Sequence, residues 1–186
     1  LEGQSITIAL TRGKVLLRRG DAAGSVQQLW PWRDDGNADV NLLLASAQLM
    51  LRKVEPAKSS LLRVEHPEAL SEVRFQGWCE TALSLRMYNM VGSVSRKREA
   101  AQGASYRTRH YFGVIAYRQG NPKQAEGYFR ESLEHNAHSG VTLAYLGHAL
   151  WKQRRVKEAV VYYRKYDNYW GQNATISKRI KLGDAL

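Results

Sequence analysis

The run YRTRHYFGVIAYRQGNPKQAEGYFRESLEHNAHS, residues 106–139, is followed directly by GVTLAYLGHALWKQRRVKEAVVYYRKYDNYWGQN, residues 140–173. Laid over each other at an offset of 34, the two match where packing is most demanding: Gly113 with Gly147, Ala125 with Ala159, and Phe129 with Tyr163. Each half has the spacing of a short helix, with small residues where two helices would touch. Self-similarity at a fixed period marks a repeat array, because a single hairpin of two short helices cannot bury its own apolar face whereas stacked hairpins can.

The same ruler runs backwards along the chain. The small residue of the first helix falls at Gly13, Ala47, Cys79, Gly113 and Gly147, and that of the second helix at Ser25, Ser59, Val91, Ala125 and Ala159. Gly20-Asp21, Glu55-Pro56 and Gly120-Asn121-Pro122 supply turns between them, with Pro56 and Pro122 read as one slot in the first helical turn, where a missing N–H is harmless. The units expected are 6–39, 40–71, 72–105, 106–139 and 140–173, closed by a capping helix in 174–186 that carries Ile176, Ile180 and Leu182, all within a single domain over 1–186. Gly13, Ala47, Cys79, Gly113, Ala125, Gly147 and Ala159 are the expected helix-packing residues. Cys79 reads there as a small hydrophobe, with a reactive thiol as the alternative. Two segments break the pattern. Pro31 and Asp34-Asp35-Gly36 should end the first unit's second helix early. Asn89 to Gly103, with Gly92, Ser93, Ser95 and Arg96-Lys97-Arg98, is expected to be a loosened or broken element.

The Gly113/Gly147, Ala125/Ala159 and Phe129/Tyr163 pattern resembles the tetratricopeptide repeat. The resemblance implies an all-α fold, a right-handed superhelix of antiparallel helical hairpins, in which the first helices line a concave groove. Its groove slots would hold Leu17, Leu51, Leu83, Tyr117 and Trp151 at one level and Arg18, Arg52, Ser84, Arg118 and Lys152 beside them. A third slot holds Lys14, Gln48, Glu80, Val114 and His148. From these, Arg18, Arg52, Tyr117, Arg118, Trp151, Lys152 and His148 are taken as the partner-binding set. Arginine forks suit carboxylates, and Tyr and Trp are good anchors; against this, helix C-termini favour Lys and Arg on electrostatic grounds alone. The Lys/Asn clamp of the chaperone-tail-binding members is missing from these slots, which disfavours that role. A scaffold of a membrane-associated bacterial assembly, for secretion, pilus formation or exopolysaccharide export, is the wider likeness.

Composition agrees with a folded protein: of 186 residues, 44% are hydrophobic and 24% charged. The apolar run from Val40 to Leu51 is broken by Asn41, Ser46 and Gln48 and is too short to span a bilayer. There is no basic segment followed by an apolar core at the N-terminus. The chain begins at Leu1 and is expected to come from a longer protein. A cytoplasmic setting is expected, with the inner face of a membrane as a variant and the periplasm left open. The net charge of +11 is lopsided: residues 1–93 hold 11 Lys/Arg and 10 Asp/Glu, and residues 94–186 hold 17 and 7. The basic half suits an acidic protein or peptide, nucleic acid or an anionic membrane surface, or is simply a solvated face.

Catalytic chemistry has no candidate residues: nucleotide-binding loops, nucleophile elbows and HExxH are all missing from the sequence. No cofactor, metal or small-molecule substrate is called for. His135 and His138 are three apart but lack a neighbouring Asp or Cys, and read as exposed helix-end residues. Glu131 and Glu134 are explained by Arg130 and the solvent face. Tyr162, Tyr163, Tyr166, Tyr169 and Trp170, with Arg164 and Lys165, could stack bases, but their spacing favours helix packing. The function expected is non-catalytic capture of a protein or peptide carrying acidic and apolar residues; the alternative is nucleic-acid binding by the basic half.

Overall fold

The computed structural model describes residues 5–170; the expected capping helix at 174–186 lies outside the described residues, as do the side chains of Tyr169 and Trp170. The described residues form ten α-helices and two short 3-10 turns: α1 Ile6–Arg18, α2 Ala22–Leu29, α3 Ala38–Met50, α4 Val54–Leu62, α5 Glu72–Ser84, α6 Tyr88–Gln102, α7 Tyr106–Arg118, α8 Pro122–His135, α9 Gly140–Lys152 and α10 Val156–Trp170, with the 3-10 turns at Trp30–Trp32 and Pro67–Ala69. The fold class is all-α, antiparallel helical hairpins of the tetratricopeptide type. The chain divides into two compact units, Leu1–Val94 and Ser95–Leu186, with the boundary inside α6.

In the first unit, side chains stop the helices from fraying. Ser5 caps α1, Asp21 accepts from the Gly24 N–H at 2.8 Å, and Asn37 accepts from the Asp39 N–H at 2.9 Å. Leu29, Val40 and Leu44 make a core with Ile6, Leu10, Val26, Trp32 and Leu43. Pro31 ends α2 as the sequence indicates, and the chain passes through the Trp30–Trp32 turn. Arg74 on α5 grips Asp39 on α3 through two parallel bonds of 2.7 and 2.6 Å, the planar fork meeting the carboxylate edge on.

The second hairpin corrects the register read from sequence by two residues. α3 starts at Ala38, so its eighth residue, equivalent to Gly13 in α1, is Ala45; the fourth of α4, equivalent to Ser25 in α2, is Ala57. Ala45, Ala47 and Ala57 are all buried, but Ser59 is exposed. Pro56 is the third residue of α4 whereas Pro122 is the first of α8, so the two prolines share a turn but not a slot. The short repeat is therefore the first hairpin, not the second. Small residues alone could not show this, because Ala45 and Ala47 satisfy the same pattern.

α6 is also a correction. It runs unbroken from Tyr88 to Gln102 despite its glycine and serines. Val91, Val94, Ser95 and Arg98 are buried at helical spacing, and burial of such a stripe outweighs a weak propensity of about 1 kcal/mol per glycine.

In the second unit, Ser105 and Thr108 close a capping box at the start of α7. The hairpins α7/α8 and α9/α10 each bring an aromatic ring of the second helix onto a glycine of the first. A Cβ added to Gly147 would stand 2.5 Å from the Tyr163 ring, and one on Gly113 would be as crowded by Phe129. Leu143, Ala144 and Tyr166 form a core with Leu133 and Tyr162. The Tyr162–Tyr166 aromatics are thus spent on packing rather than held out to stack bases.

All five intra-hairpin turns share one device. Gly20, Arg52, Arg86, Gly120 and Arg154 have positive φ, between 58° and 85°, each two residues after a first helix ends. The following N–H reaches back to the helix, as from Lys53 to the Gln48 carbonyl (2.8 Å) and Arg155 to Leu150 (3.0 Å). This is the left-handed helix stop that glycine usually supplies; three of the five positions hold arginine instead.

Candidate functional site

Of the expected binding residues, Arg18, Tyr117, Arg118, Trp151 and Lys152 fall in the last two positions of a first helix. In the first unit, Arg18 is the last residue of α1 and is exposed. Arg52 is not level with it: α3 ends at Met50, and Arg52 lies in the turn beyond. The residues level with Leu17 and Arg18 are Leu49 and Met50. The displaced register hid them.

The second unit holds the other five residues of the expected set. α7 and α9 end in Tyr117-Arg118 and Trp151-Lys152. Trp151 is 49% exposed, and Arg118 and Lys152 are exposed without a carboxylate partner among the described residues. Tyr117 is half-buried, its ring 6.1 Å from that of Tyr145 in an edge-to-face contact; burial, partly offset by the neighbouring Arg118 charge, raises its pKa. Tyr145 also meets His110 and His148 edge to face at 5.4 and 6.2 Å. Tyr117, Tyr145, His110 and His148 thus form an aromatic floor.

His148 is fixed within that floor. Its Nδ1 lies 2.9 Å from the Tyr163 hydroxyl, and burial lowers its pKa. His110 is held beneath. It keeps part of one edge exposed, yet its ring is crowded by Tyr111, Phe129 and Tyr145 and bonded to Thr142 at 3.1 Å. Burial and then the Arg107 charge push it down to about 4, so it is neutral at pH 7.

Beside the floor lies a polar clasp that sequence reasoning missed. Glu126 on α8 accepts from Arg130 (2.7 Å), Gln153 (2.9 Å) and Arg155 (2.7 Å), and Arg155 also grips Glu158 through two 2.7 Å bonds. Arg130 therefore serves Glu126, and Glu131 pairs instead with Arg109 at 3.0 Å. Burial raises the Glu126 pKa, but the bonds from Arg130, Gln153 and Arg155 more than offset this and leave it below the ordinary value. The clasp ties the α7/α8 hairpin to the turn between α9 and α10. No sequence spacing announces it, because its members come from two different units of the repeat.

His135 ends α8 and His138 lies in the turn after it, both exposed. Gly13, Cys79, Gly113, Ala125, Gly147 and Ala159 are all buried. No described helix is long and apolar enough to cross a membrane.

No family model matches the chain, and no curated protein matches it in sequence. Solved structures do. A MamA fragment from Desulfovibrio magneticus RS-1 superposes with a TM-score of 0.67 at 14% identity, over 94% of this chain and 100% of that one. Another MamA structure gives 0.61 at 14% identity, over 94% and 95%. The pilF protein of Pseudomonas aeruginosa gives 0.68 at 17% identity, over 88% of this chain and 75% of that one. At these identities the likeness shows the fold: a tetratricopeptide-type array of helical hairpins.

Proposed function

We propose that this chain is a non-catalytic scaffold that holds a segment of another protein against the ends of α7 and α9. The observation that carries the reading is the exposed Trp151, followed by Lys152 at the end of α9, with Tyr117-Arg118 at the equivalent end of α7 and neither cation ion-paired among the described residues. An exposed indole is available to anchor a partner side chain, and binding energy concentrates at such Trp, Tyr and Arg positions. The two cations select a partner segment with acidic residues next to apolar ones. The wider setting we infer is a membrane-associated bacterial assembly of the secretion, pilus or exopolysaccharide kind; its support is the general likeness to such scaffolds and the shared fold with pilF.

Selection of displayed random peptides on the full chain tests the reading. Enriched sequences should combine Asp or Glu with aromatic or aliphatic residues. Enrichment of basic peptides, or none above background, would remove it.

A further inference from the structure

Cations with no carboxylate partner among the described residues recur at the turns inside the hairpins of each unit. In the first unit the turns inside the hairpins carry Arg18, Arg19, Arg52, Lys53 and Arg86, none ion-paired among the described residues, together with Asp21 and Glu55, which cap α2 and pair with Lys58 respectively. The connections between hairpins carry Asp34, Asp35, Asp39, Glu65, Glu68 and Glu72. The cations there are consumed, Arg33 and Arg63 by Asp34 and Arg74 by Asp39. In the second unit the turns inside the hairpins carry Arg118, Lys123, Lys152, Arg154 and Lys157, again without a carboxylate partner, the neighbouring Glu158 being held by Arg155; residues 133–141 contain Glu134 and no Lys or Arg, while the connection into α7 leads to Arg107 and Arg109.

Three of these cations sit where local structure works against them. Lys123 and Lys157 are the second residues of α8 and α10, where the positive end of the helix dipole disfavours a cation. Arg154 has φ 64° at a position filled by glycine in the hairpins of Gly20 and Gly120. Helix stability explains none of the three. Strained or misplaced groups of this kind point to something outside the fold that offsets them. The two turns form one edge, because Gln153 donates to the Pro122 carbonyl at 3.2 Å and Arg155 reaches Glu126. Val156 and Val160 are exposed on successive turns of α10 beside Lys157.

We propose that this edge of the second unit rests on a bilayer containing anionic phospholipid. Cations mixed with exposed aliphatic side chains suit the headgroup boundary, where charges meet lipid phosphates and the valines meet acyl chains. A nucleic-acid backbone would use the cations but has no place for Val156 and Val160. At about fivefold per charge near such a surface, five cations favour anionic over neutral lipid by on the order of a thousandfold, which is reversible, peripheral binding. Arg118 and Lys152 also belong to the proposed peptide site, whereas Lys123, Arg154 and Lys157 do not, so the test rests on the latter group.

The test is sedimentation of the full chain with phosphatidylcholine vesicles, with and without phosphatidylglycerol. Binding should require phosphatidylglycerol and weaken as salt rises. Lys123→Glu/Lys157→Glu should lose at least about a hundredfold in vesicle affinity while its melting temperature stays level or rises, since both changes favour the helix dipole. Arg96→Glu/Lys97→Glu, which alters net charge equally at exposed positions on α6, should lose far less. Equal losses in the two variants would overturn the proposal, as would equal binding to neutral vesicles. So would failure to bind anionic vesicles, including the case where the chain instead binds duplex DNA or RNA through Lys123 and Lys157.

Discussion

Gly147 lies directly under the ring of Tyr163, sixteen residues away, so closely that a methyl group on it would stand 2.5 Å from the ring. Gly113 stands in the same relation to Phe129, and Gly13 to Leu29 at 2.9 Å. The shared spacing means that the hairpin is defined by a gap on the first helix and a large side chain on the second that fills it.

Gly113→Ala should therefore lower unfolding free energy by about 1–3 kcal/mol through overpacking, even though alanine is the better helix former. Gly127, in α8 of the same unit, has open space where its Cβ would be, so Gly127→Ala should raise stability by about 0.5–1 kcal/mol. Urea denaturation of the two variants checks the opposite signs; a gain from both would contradict the packing.

Replacing the left-handed arginine by glycine in Arg154→Gly should stabilise the second unit by up to about 1 kcal/mol, the relief of a strained φ less the added chain entropy. Gly120→Ala, at the equivalent turn, should cost a similar amount. Thermal unfolding reads both, and a lower melting temperature for Arg154→Gly would refute the strain.

The Glu126 clasp makes a pH prediction. Its pKa is lower folded than unfolded, so its stabilisation is present above the unfolded value near 4.3 and disappears as pH falls through the folded one. Glu126→Ala should cost about 1 kcal/mol at pH 7, because Arg130 and Gln153 lose their carboxylate acceptor while Arg155 keeps Glu158. The gap between wild type and variant should narrow on acidification; a gap constant down to pH 3 would contradict the mechanism.

His110 adds an acid window of its own. Its folded pKa of about 4 lies below the ordinary 6.5, so the unfolded chain binds the extra proton first and stability falls between those values as pH drops. NMR titration of the imidazole should place the midpoint near 4, and a midpoint above 6 would mean that the ring is not enclosed as described.

Much of the fold was legible because residues 106–173 repeat at constant spacing with glycine opposite aromatic. Where glycine gives way to alanine the ruler loses its mark, and the second hairpin slipped by two residues, carrying Ser59 and Arg52 to the wrong level. α6 escaped for a different reason: its burial comes from tertiary packing that propensity does not register. Tyr117, Arg118, Trp151 and Lys152 lie at the expected helix ends because they belong to the two best-marked hairpins. Glu126 and the left-handed Arg52, Arg86 and Arg154 could not. A clasp between repeats has no short-range signature, and an arginine at a glycine position looks like an ordinary surface charge.

The most direct measurement is the affinity of a selected acidic, apolar peptide for wild type and for Arg118→Glu/Lys152→Glu. Loss of the two cations and their replacement by like charge should weaken binding by at least about tenfold, with helicity unchanged. Equal affinity for both proteins would contradict a partner site at the ends of α7 and α9.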